Sequence, residues 1–180
     1  MTENNTVNSK KGIALKIIVP ILIVSVLIGI WVIKNNKKDA ETAGSGNADF
    51  ELHVTEKIDI EKLKSYGLPI IIDFGADSCI PCKEMAPILK ELNEELKGKA
   101  IIRFVDVRKY QELAQGYPIS LIPTQIFIDA NGKPFKPKDP QASQMKMYTT
   151  KDKGEHVFTA HEGGMTKDQL LDVLKEMGMK

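Results

Sequence analysis

Only two cysteines occur in the 180 residues, so no disulfide scaffold holds this fold together. An excess of charge of one sign is missing too. Lys and Arg number 25 against 24 Asp and Glu, and a formal net charge of +1 offers nothing to nucleic acid or another polyanion. No internal repeat is found, which excludes a solenoid. The three histidines, His53, His156 and His161, stand at no ligand spacing from the cysteines. A zinc site would lack two ligands, and no metal is expected. His156 and His161 are read as strand-surface residues with no chemistry assigned. No haem-attachment motif is present either.

What is present begins with a long apolar run. Residues 17–33 carry no charge and are almost all Ile, Val and Leu; Ala14 and Leu15 extend the run past Lys16. The stretch is at the short end of what crosses a bilayer core, and Trp31, the only tryptophan, sits near its far edge, where an interfacial aromatic belongs. The alternative is a cleaved signal peptide. That reading wants a shorter apolar segment and a small-x-small site, whereas Lys34-Asn35-Asn36-Lys37-Lys38 follows here. A retained anchor over residues 13–33 is expected, held by membrane lipid. Lys10, Lys11 and Lys16 before the span nearly balance Lys34, Lys37 and Lys38 after it. A short tail ahead of a first span usually stays inside, so the rest of the chain is expected on the extracytoplasmic side of a cell membrane.

The organisation follows. Residues 1–12 form a polar tail, 13–33 the anchor, 34–48 a flexible linker rich in small polar residues, and 49–180 a folded domain. About 130 residues are enough to bury one core. Within the domain, residues 51–55 read as a short strand and 59–66 as a helix stopped by Gly67. Residues 69–74 are a continuous apolar run suited to a central buried strand. Residues 82–97 carry apolar residues at helical spacing up to Gly98, and 100–107 form a second buried strand. A short helix is expected over 109–115 and a strand over 124–129. Asn131-Gly132 predicts a hairpin turn, with 155–160 as the partner strand. Residues 166–177 close the chain as a helix with Thr166 as its N-cap. The order is β-α-β-α-β-α-β-β-α: parallel strands with crossover helices, then an antiparallel hairpin and a covering helix.

The two cysteines fall where the first buried strand gives way to a helix, as Cys79-Ile80-Pro81-Cys82. A helix N-terminus favours thiolate over thiol, and the second thiol lies one turn on, which is the minimal arrangement for thiol–disulfide exchange. Cys79, at the helix start, is the expected nucleophile; Lys83 adds positive charge nearby and Asp77 works against it. Cys82, one turn inside, is expected to be more buried and to act second, attacking a mixed disulfide. Pro81 suits a first helical turn. Asp73 ends a run of isoleucines, so its carboxyl is expected buried with a raised pKa. Pro123, at the opening of a strand, is as compatible with a trans as with a cis peptide bond on residue grounds alone.

These motifs together resemble the thioredoxin family. The likeness rests on Asp73-Phe74-x-Ala76-x-x-Cys79-x-Pro81-Cys82-Lys83, on Ile122-Pro123-Thr124 about forty residues later, and on Gly163 before the last helix. It covers essentially residues 50–180. The resemblance implies a thioredoxin-like α/β fold, with a central mixed sheet flanked by helices. It implies a redox-active Cys79–Cys82 disulfide as the only redox group, with no further cofactor. Asp73 would lie beneath Cys82 and handle its proton. Pro123 would be cis, with Ile122 offering backbone hydrogen bonds to an extended substrate. Ile80, Pro81, Ile122 and Pro123 would form the substrate-binding surface for protein disulfides and thiols.

Departures from the family pattern shape the functional expectation. Gly75 and Ser78 stand where tryptophans flank the motif, and Phe104 stands on the next strand where a charged residue often faces the buried acid. Neither residue between the cysteines is histidine, and Ile precedes Pro123, which favours a reductant over an oxidant. The expectation is a monomeric, membrane-tethered oxidoreductase that reduces extracytoplasmic proteins. It would be fed by a DsbD/CcdA-type membrane electron donor. The alternatives are a disulfide oxidase and a non-catalytic adaptor. Residues 133–154, with six lysines and Met145, Met147 and Tyr148, read as a solvated loop; the other reading is a docking surface for a partner or anionic lipid.

Overall fold

A computed structural model describes residues 48–180, and a compact unit runs from Gly46 to Lys180. The expected tail, the anchor over 13–33 and nearly all of the linker lie outside the described residues. Among the described residues, no helix is long and apolar enough to cross a membrane.

The fold opens with a 3-10 turn, Ala48–Phe50, and a two-residue strand β1 (His53–Val54). Helix α1 (Ile60–Ser65) starts on Asp59, whose side chain accepts the Lys62 N–H, and ends at Gly67, where φ is +65°. Strand β2 (Ile70–Gly75) is buried at all six positions, which is what a continuous apolar run between two covered faces requires. Helix α2 (Ile80–Glu95) and strand β3 (Ile101–Asp106) follow. The helix expected over 109–115 is instead a 3-10 turn, Gln111–Ala114, closed by i→i+3 bonds from Leu113 and Gln115. Strands β4 (Thr124–Ile128), β5 (Met145–Thr149) and β6 (His156–Glu162) precede helix α3 (Lys167–Glu176). Thr166 and Gln169 form a reciprocal capping box at its start.

Six strands, not five, make one mixed sheet in the order β1-β3-β2-β4-β6-β5. β1, β3 and β2 run parallel; β4, β6 and β5 pair antiparallel in turn. The extra strand corrects the reading of 133–154 as a loop. The turn at Asn131-Gly132 does form, with Gly132 at φ +74°, but the chain makes only one bridge, Ile128 to Pro134, before leaving the ladder. Pro134 and Pro137 have no N–H to extend it, and Phe135 turns into the core. The free edge of β6 is then taken by β5.

The period of two along each strand divides the core. Ile71, Ile102 and Phe127 pack under α2 and α3 with Met85, Leu89, Leu170 and Leu174. Ile70, Ile72, Phe74, Val105 and Ile126 pack on the opposite face with Leu63, Tyr117 and Phe158. Asp73 shares the parity of Ile71. It therefore points to the face that α2 covers, and this alternation brings a carboxyl beneath the second cysteine.

Candidate active site

The dithiol sits at the C-terminal end of β2, where a short turn lets the chain re-enter as α2. Cys79 is the helix N-cap, in extended conformation, and its sulfur accepts the Cys82 N–H at 3.3 Å. A backbone donor aimed at this sulfur favours the thiolate whenever the bond is reduced. Pro81 in the first turn removes an N–H that has no helical partner. Cys79 and Cys82 are joined as a disulfide with Cα atoms 5.2 Å apart. Cys79 is half-buried and Cys82 is 3% exposed, so an incoming group can reach the first sulfur and not the second. A cleft of about 260 Å³ lined by Ala76, Cys82, Lys83 and Phe104 runs beside the buried sulfur.

The second segment arrives from the loop before β4. The Ile122–Pro123 peptide bond is cis, and Pro123 is buried against the site. The Ile122 carbonyl oxygen lies 3.8 Å from Cys79 Sγ. Pro123 O accepts the Gly163 N–H at 2.8 Å, which ties this loop to the end of β6. Among the described residues, three large apolar side chains are strongly exposed, and two adjoin the site's two segments: Ile80 next to Cys79 at 71%, and Leu121 next to Ile122 at 46%. Cys79, Ile80, Pro81, Ile122 and Pro123 thus come together at one end of the sheet. The charge balance around Cys79 differs from expectation in one respect: Asp77 is ion-paired to Lys109, which offsets the carboxylate beside the nucleophile.

Asp73 is fully buried. Burial pushes its carboxyl up to about 7, against the opposing pull of the Gln125 amide, which donates to Oδ1 at 2.7 Å. A carboxyl that changes charge near neutrality can take a proton and return it. Its second oxygen, Oδ2, is buried without a hydrogen-bond partner. Phe104 is the β3 partner of Asp73 and brings no charge to it. The same ring accounts for Gly75. A methyl group there would come within 2.8 Å of Phe104 Cε2 and 3.3 Å of both Asp73 Oδ2 and Cys82 Sγ. Gly75 is needed for close approach, and a larger side chain would have to displace Phe104.

Two polar residues of this site were given no role from the sequence. Gln125 is fully buried on β4, and its carbonyl oxygen lies 3.0 Å from His161 Nδ1. His161 is only 6% exposed, which corrects its reading as a strand-surface residue. Burial lowers its pKa, despite opposing contributions from Gly163 and Glu162. The available signal is an amide inside a strand otherwise read as apolar, since a buried amide needs partners.

Residues 51–153 match the model of the Thioredoxin family. Thioredoxin Y, chloroplastic, of Oryza sativa subsp. japonica is 42% identical over 74 residues, covering 41% of this chain and 44% of that protein. The thioredoxin of Mycoplasmoides gallisepticum is 36% identical over 76 residues, covering 42% of this chain and 75% of that one. The matched segment thus spans less than half of the rice protein. A mutant thioredoxin from Halobacterium salinarum shares the fold, with a TM-score of 0.50 and 23% identity over 76% of this chain and 98% of that one.

Proposed function

The chain belongs to the thioredoxin family, and from that premise we propose that it is a membrane-tethered thiol–disulfide oxidoreductase that reduces disulfides in extracytoplasmic proteins. One observation carries the chemistry: an accessible Cys79 disulfide-bonded to a buried Cys82, above a buried carboxyl at about 7. In the reduced protein the Cys79 thiolate attacks one sulfur of a client disulfide. A mixed disulfide forms, and the other client sulfur leaves and takes up a proton. Cys82 then gives its proton to Asp73 and attacks Cys79 Sγ. The mixed disulfide breaks, the second client thiol is released, and two electrons have passed to the client. The protein ends as the Cys79–Cys82 disulfide and must be reduced again by an external dithiol. A membrane donor of the DsbD/CcdA type fits that need. The exposed Ile80 and Leu121 give the client an apolar landing surface, and the Ile122 backbone extends it as a short strand partner.

The direction of electron flow rests on the residues between the cysteines. Ile80 and Pro81 supply no side-chain donor to hold a thiolate, so the reduced form gains no special stability and the dithiol gives up electrons readily. The tether rests on the uncharged run at 17–33. The test is the reduction potential of the full chain, purified in mild detergent and equilibrated in defined dithiol buffers. A value near about −270 mV is expected for a reductant, and one near about −120 mV would make the protein a disulfide donor instead. No exchange at all would leave a thioredoxin fold used only for docking.

A further inference from the structure

Cross-strand register lines up one residue from each of the six strands: His53, Phe104, Asp73, Gln125, His161 and Met145. The middle of this row is polar. Asp73, Gln125 and His161 are 0%, 0% and 6% exposed, and three polar side chains in a core are costly unless each is bonded. Here they are bonded to one another in sequence. Gln125 Nε2 donates to Asp73 Oδ1 at 2.7 Å and to the Gly163 carbonyl at 3.1 Å, while Oε1 meets His161 Nδ1 at 3.0 Å. The amide fits only one way. Reversed, its oxygen would face the Gly163 carbonyl oxygen, which can only accept, and the ionised Asp73 carboxylate as well. Oε1 is therefore the acceptor, and His161 Nδ1 carries a hydrogen.

This orientation decides where a proton on Asp73 can sit. Oδ1 is held as an acceptor by Gln125, so the proton belongs on Oδ2. That oxygen is the buried, unpartnered one. It and Cys82 Sγ each lie 3.3 Å from the point where a Gly75 methyl would stand, so the two atoms border the same gap. The surroundings reinforce the geometry. α2 brings Met85 and Cys82 to this place, β3 brings Phe104, and no charged side chain contributes to the Asp73 equilibrium. Of the charged side chains, Glu162 on β6 acts on His161, and it is itself ion-paired to Lys146 on β5 at 2.6 Å.

Resting on the oxidoreductase reading above, we propose that Gln125 and His161 are positioning residues, which hold the Asp73 carboxyl so that its proton-carrying oxygen faces Cys82. Gln125 sets the orientation; His161 fixes Gln125 from behind. Neither touches a sulfur. Both act on the step in which Cys82 gives up its proton.

The full chain, reduced and mixed with an aromatic disulfide that releases a coloured thiol, separates the steps. Attack by Cys79 releases the first equivalent, and attack by Cys82 on the resulting mixed disulfide releases the second. Gln125→Leu is expected to leave the first phase unchanged and to slow the second about tenfold at neutral pH, a fraction of what positioned proton transfer contributes. Its pH midpoint moves upward, because a carboxylate that has lost a donor holds its proton more tightly. His161→Phe moves the second phase in the same direction. His161→Asn restores it, since an amide N–H can reach the Gln125 oxygen. A second phase with wild-type rate and pH midpoint in both Gln125→Leu and His161→Phe would overturn this inference alone. Absence of both phases in the wild type would overturn the oxidoreductase reading, and this inference with it.

Discussion

At the scale of single residues, Asp73 carries an unusual energetic burden. A carboxyl placed among Ile70, Ile71 and Ile72 has no ionic partner, and burial raises its pKa from 3.8 to about 7. The folded protein therefore binds a proton more tightly than the unfolded chain does. Below about pH 4 both states are protonated and folding is not penalised. As pH rises toward 7 the unfolded carboxyl ionises freely while the folded one resists, and stability is lost across that window. About three pKa units correspond to roughly 4 kcal/mol at alkaline pH. Asp73→Asn keeps the volume and an oxygen for Gln125 but removes the titration. Denaturant unfolding of the oxidised protein should give variant and wild type equal stability near pH 4. The variant should be more stable by about 4 kcal/mol near pH 8. A difference that does not change with pH would mean that Asp73 is ionised in the fold at much lower pH than its burial implies.

At the scale of elements, the parts readable from sequence are those whose signals are local. The isoleucine run of β2, the stripe of α2, the stop at Gly67 and the cap Thr166 each announce themselves within a few residues. The parts that were not readable depend on register. Gln125 and His161 lie 36 residues apart and become neighbours only because β4 and β6 pair antiparallel with these two opposite each other. Phe104 faces Asp73 as the family alignment places it, but its contact with Gly75 follows from packing. Strand β5 was hidden for another reason. Its lysine and two methionines look like loop composition, and the strong Asn131-Gly132 turn points to 155–160 as the immediate partner. That partner is found, as β6 beside β4, but the prolines after the turn first take the chain off the ladder, and it comes back as β5 on the other edge of β6. Met145 and Met147 share one face of β5, yet Met145 is 6% exposed within the α2–α3 core and Met147, beyond the cover, is 49% exposed. Met145→Ala should therefore cost about 2 kcal/mol or more, as buried methionine truncations do. Met147→Ala should stay within about 0.5 kcal/mol of wild type in the same urea titration. Equal costs would mean that β5 is not docked at Met145.

At the scale of the whole molecule, both apolar clusters are built within residues 46–180, and the dithiol, Asp73 and the Pro123 loop all lie there. Removing residues 1–45 should therefore leave the melting temperature and the reduction potential unchanged. What it should abolish is membrane association, and salt distinguishes the two ways in which this chain could hold a membrane. Lysines such as Lys136, Lys138 and Lys153 would bind anionic lipid through charge, an attraction that 1 M salt reduces to a range of about 3 Å. An uncharged run such as 17–33 is held by the cost of exposing apolar surface to water, which salt does not relieve. The full chain is expected to remain in the membrane pellet through a 1 M salt wash, roughly the strength at which surface pairs are screened, while residues 46–180 stay in the supernatant at any salt. Release of the full chain by salt would instead place its membrane contact on the lysine-rich segment around β5. The dithiol would then visit the membrane reversibly, and a fixed electron donor would have to capture it by affinity instead of finding it already tethered alongside.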